Sequence, residues 1–176
     1  MWGVKMNEKK NTAMDIANLI IVYANQIENR IGSLTPIKLQ KILYYVYVDC
    51  LVNQKTKLFN TPIEKWKFGP VVSSVYHNLK NYGVRHIAEP SSSYIFDDSK
   101  GSIYFQEIPF SEEALGLRSD IKESIKRKVN ELIDVDPFEL VERTHREKPW
   151  KNYEPLILEG ERGLIYSDEE IIEAFS

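Results

Sequence analysis

The sequence predicts a mainly α (α+β) fold, a compact helical domain with a small antiparallel β element. Apolar residues repeat at spacings of three and four along several segments, and N-cap signals precede four of them. Two short aromatic and β-branched runs flank a polar turn segment, which is typical of a β-hairpin. The 176 residues, 43% hydrophobic and 28% charged, suffice for one domain with its own core.

The first two helices are predicted from their caps. Thr12, followed three residues later by Asp15, forms an acidic variant of the capping box, and Gly32 marks the end of this helix. Thr35 caps the second helix and Pro36 takes its first position, where a missing N–H costs nothing. Two consecutive helices are therefore expected at the start of the domain.

The second helix is apolar on almost every face, which predicts a place in the middle of a bundle. The residues that form this apolar surface are Leu39, Ile42, Leu43, Tyr44, Tyr45, Val46, Tyr47, Val48 and Cys50. Lys38 and Lys41 lie near its N-terminal end, where the helix dipole disfavours cations. Lys41, with Tyr44, either faces a pocket or partner or is an ordinary solvated lysine, and the solvated case is commoner.

A short strand near Trp66 is predicted by the alternation of apolar and charged residues over 63–68. Gly69-Pro70 is expected to end this strand, and Pro70 is expected to open a helix that closes at Gly83. Trp66 is interpreted as closing one end of the core, in preference to the alternative of an interface anchor.

A hairpin is predicted further along the chain. Residues 94–96 and 103–105 form its two runs, around the turn segment 97–101. Because an isolated hairpin is only marginally stable in water, we expect it to pack on helices and to pair with the strand near Trp66.

The C-terminal third predicts three more helices. Residues 119–133 carry an amphipathic pattern with basic residues outward. Asp136 and Pro137 provide a cap and a first-turn proline for a short helix that ends near Thr144. Ser167 begins a capping box ahead of the last helix.

Composition indicates a soluble, cytoplasmic protein. No apolar segment approaches the length that spans a bilayer, the N-terminus lacks an apolar signal region, and the single cysteine, Cys50, has no disulfide partner in the chain. Residues 1–12 are expected to form a flexible tail and residues 13–176 a single domain. Residues 129–176 hold 13 acidic against five basic residues, which either marks an interaction surface or reflects solvated helix faces.

Neither a catalytic constellation nor a metal or cofactor motif is visible in the sequence. The histidines His77, His86 and His145 are far apart, and none has a partner at a metal-ligand spacing. His145 either ties a helix end to the following turn or acts with Glu142 or Glu147 in an uncharacterised enzyme. The structural interpretation is favoured because no partner nucleophile is visible.

A winged-helix-like nucleic-acid binder is a further alternative. The order helix, strand, helix, hairpin permits it, and phosphates would then contact Lys38, Lys41, Lys65 and Lys67. The net charge of −3 and the lack of a short helix-turn-helix connection argue against this alternative.

Three motifs in a fixed order carry the strongest signal. They are Leu39-Gln40-Lys41-Ile42-Leu43-Tyr44, then Trp66 to Val72 with Gly69, Pro70, Val71 and Val72, then Thr144-His145 followed by Pro149-Trp150. In residue type and order they resemble the Panacea domain, the SocA-like family of bacterial and phage antitoxins. The chain departs from the family pattern at Ile42, where the family has leucine.

This resemblance implies binding without a catalytic step. Members look like antitoxins of toxin–antitoxin pairs that neutralise a co-encoded toxin by direct protein binding, and a related member resembles a proteolytic adaptor that delivers its toxin to the ClpXP protease. The implied partner is a cognate toxin protein, with no cofactor, no metal and no membrane. The motif residues are then structural or binding residues, and toxin specificity is expected on the hairpin, the basic helix face or the acidic C-terminal section.

Overall fold

Helices form most of the described structure, which covers residues 11–97 and 104–176 in a computed structural model. The α-helices are α1 (Ala13–Gln26), α2 (Pro36–Asn53), α3 (Ser73–Leu79), α4 (Ser119–Leu132), α5 (Pro137–Arg146), α6 (Lys148–Lys151), α7 (Glu154–Leu158) and α8 (Asp168–Phe175). The strands are β1 (Glu64–Trp66), β2 (Gly69–Val71), β3 (Ser93–Asp97) and β4 (Tyr104–Ile108). The predicted fold class is therefore confirmed. Most of the predicted N-terminal tail and the tip of the predicted hairpin lie outside the described residues.

The N-terminal capping box of α1 is confirmed, but the helix ends earlier than predicted. Thr12 N–H donates to Asp15 Oδ2 at 2.8 Å, and Asp15 N–H donates to Thr12 Oγ1 at 3.1 Å. The helix ends at Gln26, well before Gly32. The segment that connects α1 to α2 is bound to a distant part of the chain. The backbone N–H of Gly32 donates to Asp134 Oδ1 at 2.7 Å, which ties this connection to the segment before α5.

Helix α2 occupies the centre of the bundle, as predicted. It packs against α1, α4, α5 and α8, and it is buried along nearly its whole length. Thr35 caps it and Pro36 lies in its first turn. Burial extends to its polar residues, including Lys38 and Lys41, so the solvated alternative for Lys41 is wrong. None of the described helices combines the length and apolar character that crossing a bilayer requires.

The region around Trp66 is a two-stranded ribbon and not a single strand. β1 and β2 pair antiparallel, with Trp66 opposite Gly69. The chain reverses at Lys67 and Phe68, and Gly69 follows with a φ of 87°, a left-handed conformation that glycine adopts without strain. Pro70 therefore belongs to β2, and the next helix begins only at Ser73.

The predicted hairpin forms, but its expected packing is wrong. β3 and β4 pair antiparallel as a separate two-stranded sheet, with Tyr94 opposite Glu107. The free side of β1 is occupied by the segment before α8, where Lys65 N–H donates to Leu164 O at 2.7 Å and Tyr166 N–H donates to Ile63 O at 2.8 Å. The outer edge of β1 is therefore not available to the hairpin.

Candidate functional site

The three sequence motifs meet in the interior, around Lys41. Its side chain, on α2, is 1% exposed, and Nζ donates to the carbonyl of Pro70 at 3.0 Å. A Cβ on Gly69 would overlap Thr144 Oγ1 and would press on the Lys41 side chain. Thr144 Oγ1 in turn donates to Val141 O at 2.8 Å within α5. The close approach at Gly69 thus joins α2, β2 and α5.

Two tyrosines of α2 bind one carboxylate. Tyr44 Oη donates to Glu147 Oε2 at 3.1 Å, and Tyr45 Oη donates to Glu147 Oε1 at 2.6 Å. Burial raises the pKa of Glu147, while both hydroxyls and the charge of Lys41 act in the opposite direction. Glu147 lies between α5 and α6, so this contact fixes the turn between these helices onto α2.

The third motif forms a stacked pair. The His145 ring lies on the Trp150 indole with ring centroids 3.8 Å apart and an angle of 16° between the planes. Trp150 Nε1 donates to the carbonyl of Trp66 at 2.9 Å, which links α6 to β1. Burial lowers the pKa of His145, and the charge of Lys41 adds to this effect, while the backbone of Lys67 opposes it. The ring is therefore favoured in its neutral form.

The remaining motif residues are also mostly internal. The buried ones are Leu39, Leu43, Pro70, Val71, Val72 and Pro149. Trp66 is only half-buried, and its indole N–H donates to Glu64 Oε2 at 2.7 Å. The interpretation of Trp66 as a core-closing residue stays a prediction, since much of its packing is at the surface.

Sequence reasoning missed the role of Gln40. Its amide Nε2 donates to Val72 O at 3.2 Å, and its Oε1 accepts from Val72 N–H at 2.9 Å. The side chain thereby satisfies both backbone groups at the point where β2 passes into α3. The available signal was a polar residue inside a helix that is otherwise apolar on almost every face.

The enzyme alternative assigned a partner carboxylate to His145. Within the described chain, Glu147 is bound by Tyr44 and Tyr45, and exposed Glu142 lies 3.8 Å from Arg146. The structure gives no hydrogen bond between His145 and either carboxylate, and His145 Nε2 is buried without a partner among the described residues. The ring is packed against Trp150, an arrangement that disfavours proton transfer to a substrate.

A groove lies beside β1. Its volume is about 430 Å³, and its walls are residues 64–67, 161–164 and Ile157. Neither Lys41 nor Glu147 lines it, so the internal cluster does not open into this groove. Across residues 11–97 and 104–176, no group of three His, Cys, Asp or Glu side chains has the arrangement of a metal site.

Substituting Lys41 by methionine is expected to change how stability depends on pH. Burial lowers the pKa of Lys41 to about 7, whereas an unfolded lysine titrates near ~10.4. Between these values the unfolded chain binds more protons than the folded chain, so the wild type gains stability as the pH rises. Relative to Lys41→Met, this gain amounts to a few kcal/mol in total. Below about pH 7, the difference in the free energy of unfolding between the two proteins does not change with pH.

Urea unfolding between about pH 6 and about pH 10 measures this difference. Lys80→Met is the matched control, because Lys80 is exposed and its variant is expected to follow the wild type at every pH. A constant offset between Lys41→Met and the wild type over the whole range would show that the Lys41 amine titrates like a solvated lysine.

Comparison with known proteins follows the same three motifs. The profile of the family described as "Antitoxin SocA-like, Panacea domain" matches residues 39–151, well over half of the chain and from the first motif to the third. The chain is 36% identical over 75 residues to antitoxin SocA of Caulobacter vibrioides (strain NA1000 / CB15N), which is 43% of this chain and 38% of that protein. The match thus spans well under half the length of this relative, and no solved structure matches the chain. The chain belongs to the SocA-like Panacea domain family.

Proposed function

We propose that this chain is an antitoxin that neutralises a co-encoded toxin by binding it directly, without a catalytic step. Membership of the SocA-like antitoxin family supports the role. Binding as the mode of action is supported by the internal contacts of the family motifs. Lys41 donates a hydrogen bond to Pro70 O, Glu147 accepts hydrogen bonds from two tyrosines, and His145 stacks on Trp150. These residues build a scaffold, and recognition is left to the outer surface.

Burial of the lysines argues against the nucleic-acid alternative. Of the four lysines that would have contacted phosphates, Lys38, Lys41 and Lys65 are buried and Lys67 is exposed. Lys38 Nζ donates to Ile133 O at 2.7 Å, so its charge is directed inward. Phosphate binding needs exposed cations, and the chain has a net charge of −3.

The free thiol is consistent with the proposed cytoplasmic location. Cys50 is buried in α2, and burial raises the pKa of its thiol to about 12. A thiol in this state has little thiolate character and is inert toward oxidation. Its role is that of a small apolar core residue.

Co-expression with the product of the neighbouring reading frame tests the proposal. We expect that product to stop growth by itself, and the wild-type chain to restore growth and to co-purify with it. Failure of both results would contradict the proposal. The same assay in cells that lack ClpXP separates two mechanisms: rescue that persists shows neutralisation by binding, and rescue that disappears shows delivery to the protease.

The enzyme alternative is tested in the same assay with His145→Gln. If the chain acts by binding, a folded His145→Gln variant restores growth as well as the wild type does. Loss of rescue by this variant, with an unchanged thermal unfolding transition, would indicate a chemical role for the imidazole. Glu139→Gln serves as the matched control, at an exposed carboxylate of the same helix that the enzyme alternative does not use.

A further inference from the structure

The β3–β4 hairpin projects from a firmly attached base. At its start, Asn18 of α1 exchanges two hydrogen bonds with the backbone of Ser91, both at 2.9 Å. Just after its end, Phe110 packs against the core, and Tyr23 Oη donates to Glu112 Oε1 at 2.8 Å. Both ends are therefore fixed to the body, which holds the strands between them in a defined orientation.

The strands themselves are exposed on both faces. In the antiparallel register Tyr94 and Phe105 share one face, and they are 60% and 67% exposed. Ile95 and Ile108 share the other face and are also exposed. Among the described residues, β3 and β4 pack mainly on each other and make at most marginal contact with any helix.

The stability of the folded chain alone does not explain why this hairpin carries exposed apolar residues. Two strands without a covering layer are marginally stable, and exposed apolar residues on a strand pair promote unwanted association. Clustered exposed apolar residues on a monomer usually mark a binding site. Tyrosine and phenylalanine are also well suited to anchor an interface.

The charge of this region indicates the kind of partner. Residues 91–97 and 104–113 contain four acidic residues and no lysine, arginine or histidine. Glu112 is paired with Lys122, whereas Glu107, in the exposed face of β4, has no ion pair with a described residue. Acidic groups beside exposed aromatic rings favour a basic partner, since arginine and lysine pair with the carboxylates and pack on the rings.

We infer that Tyr94, Phe105 and Glu107, which share one exposed face of the strand pair and are called the hairpin surface, form the contact for a basic surface of the toxin. This inference rests on the proposed function and assigns the recognition element to the hairpin, in preference to the basic helix face or the acidic C-terminal section. The aromatic residues supply the buried area of the complex, and Glu107 supplies its charge selectivity.

Calorimetric titration of the full chain with the product of the neighbouring reading frame tests this inference. Phe105→Ser and Glu107→Lys are each expected to weaken binding by roughly tenfold or more, which is the effect of losing a central interface residue. The matched controls are Phe138→Ser, at a phenylalanine of α5 that is 61% exposed, and Glu159→Lys, at an exposed glutamate after α7; both are expected to bind as the wild type does. Thermal unfolding of each variant confirms that it is folded.

Raising the ionic strength from about 0.1 M to about 1 M shortens the screening length from about 10 Å to about 3 Å. We therefore expect it to weaken toxin binding by the wild type more than toxin binding by Glu107→Gln. Unchanged binding by both hairpin variants would overturn the inference. An effect of Phe105→Ser without any effect of Glu107→Lys would overturn the basic character of the partner. Absence of a complex with the wild-type chain would overturn the proposed function itself, so the two failures are distinguishable.

Discussion

Replacing Trp150 by alanine is expected to lower the free energy of unfolding by about 3–5 kcal/mol, the usual cost of truncating a large buried aromatic residue. Trp150 is 2% exposed, stacks on His145 and donates its indole N–H to Trp66 O at 2.9 Å. Truncation therefore leaves a cavity and removes the hydrogen bond from the indole to a carbonyl of β1. Chemical denaturation of the wild type and the variant measures the loss. The free energy of unfolding is expected to depend on denaturant concentration with the same slope in both proteins.

Trp66→Ala is the matched control for this substitution. Trp66 is half-buried and its indole N–H is paired with the side chain of Glu64, so we expect a clearly smaller loss of stability. Equal losses for the two variants would contradict the assignment of Trp150 to the interior and of Trp66 to its edge. A Trp150→Ala variant that unfolds like the wild type would contradict the packing of the third motif.

Gly69→Ala is expected to lower the free energy of unfolding by about 2–5 kcal/mol. Two costs combine: a left-handed φ of 87° in a residue with a side chain, about 1–2 kcal/mol, and overpacking against neighbours, about 1–3 kcal/mol. The neighbours are Thr144 Oγ1, which the new methyl group would overlap, and the Lys41 side chain. Thermal and chemical unfolding measure the effect.

Gly160→Ala separates these two costs. Gly160 has φ of 90°, yet a Cβ there would meet nothing within 4 Å, so only the backbone cost of about 1–2 kcal/mol remains. The difference between the two variants therefore reports the close approach of β2 to α2 and α5. If Gly69→Ala cost no more than Gly160→Ala, the three motifs would not meet at this point.

Local signals predicted the helices well. The caps at Thr12, Thr35 and Ser167 all form as the sequence indicates, because each depends on side chains within three residues of the helix start. The central place of α2 was also predictable, since a helix that is apolar on most faces has to be covered on most faces. These features need no knowledge of the distant parts of the chain.

Features that depend on distant partners were not predictable in this way. The commoner alternative placed Lys41 in solvent, but its side chain is bound to the carbonyl of Pro70. Pro70 belongs to β2, whereas the sequence analysis assigned Gly69-Pro70 to the end of a strand and Pro70 to the start of a helix. Gly69 and Pro70 indicate both the end of a strand and a tight reversal between two strands. The contact with Thr144, far along the chain, decides between them by requiring a residue without Cβ.

The candidate site was predicted as a set of residues but not as an arrangement. All three motifs were recognised in the sequence, yet nothing in their spacing shows that Glu147 binds Tyr44 and Tyr45 or that His145 stacks on Trp150. The exposed position of the hairpin was also missed. Its composition is that of an ordinary packed hairpin, and nothing in the sequence shows that residues 164–166 occupy the outer edge of β1.

Adding the purified chain in steps to the neighbouring gene product, and measuring the toxic activity that remains, tests the central claim most directly. Binding without catalysis predicts that the toxic activity falls linearly with the amount of chain added and reaches its end point at a fixed molar ratio. It also predicts that the remaining activity does not change with time after each addition. It also predicts that a folded His145→Gln variant gives the same end point. Complete inactivation of the toxin by a small fraction of an equivalent, advancing with time and abolished by His145→Gln, would contradict the account.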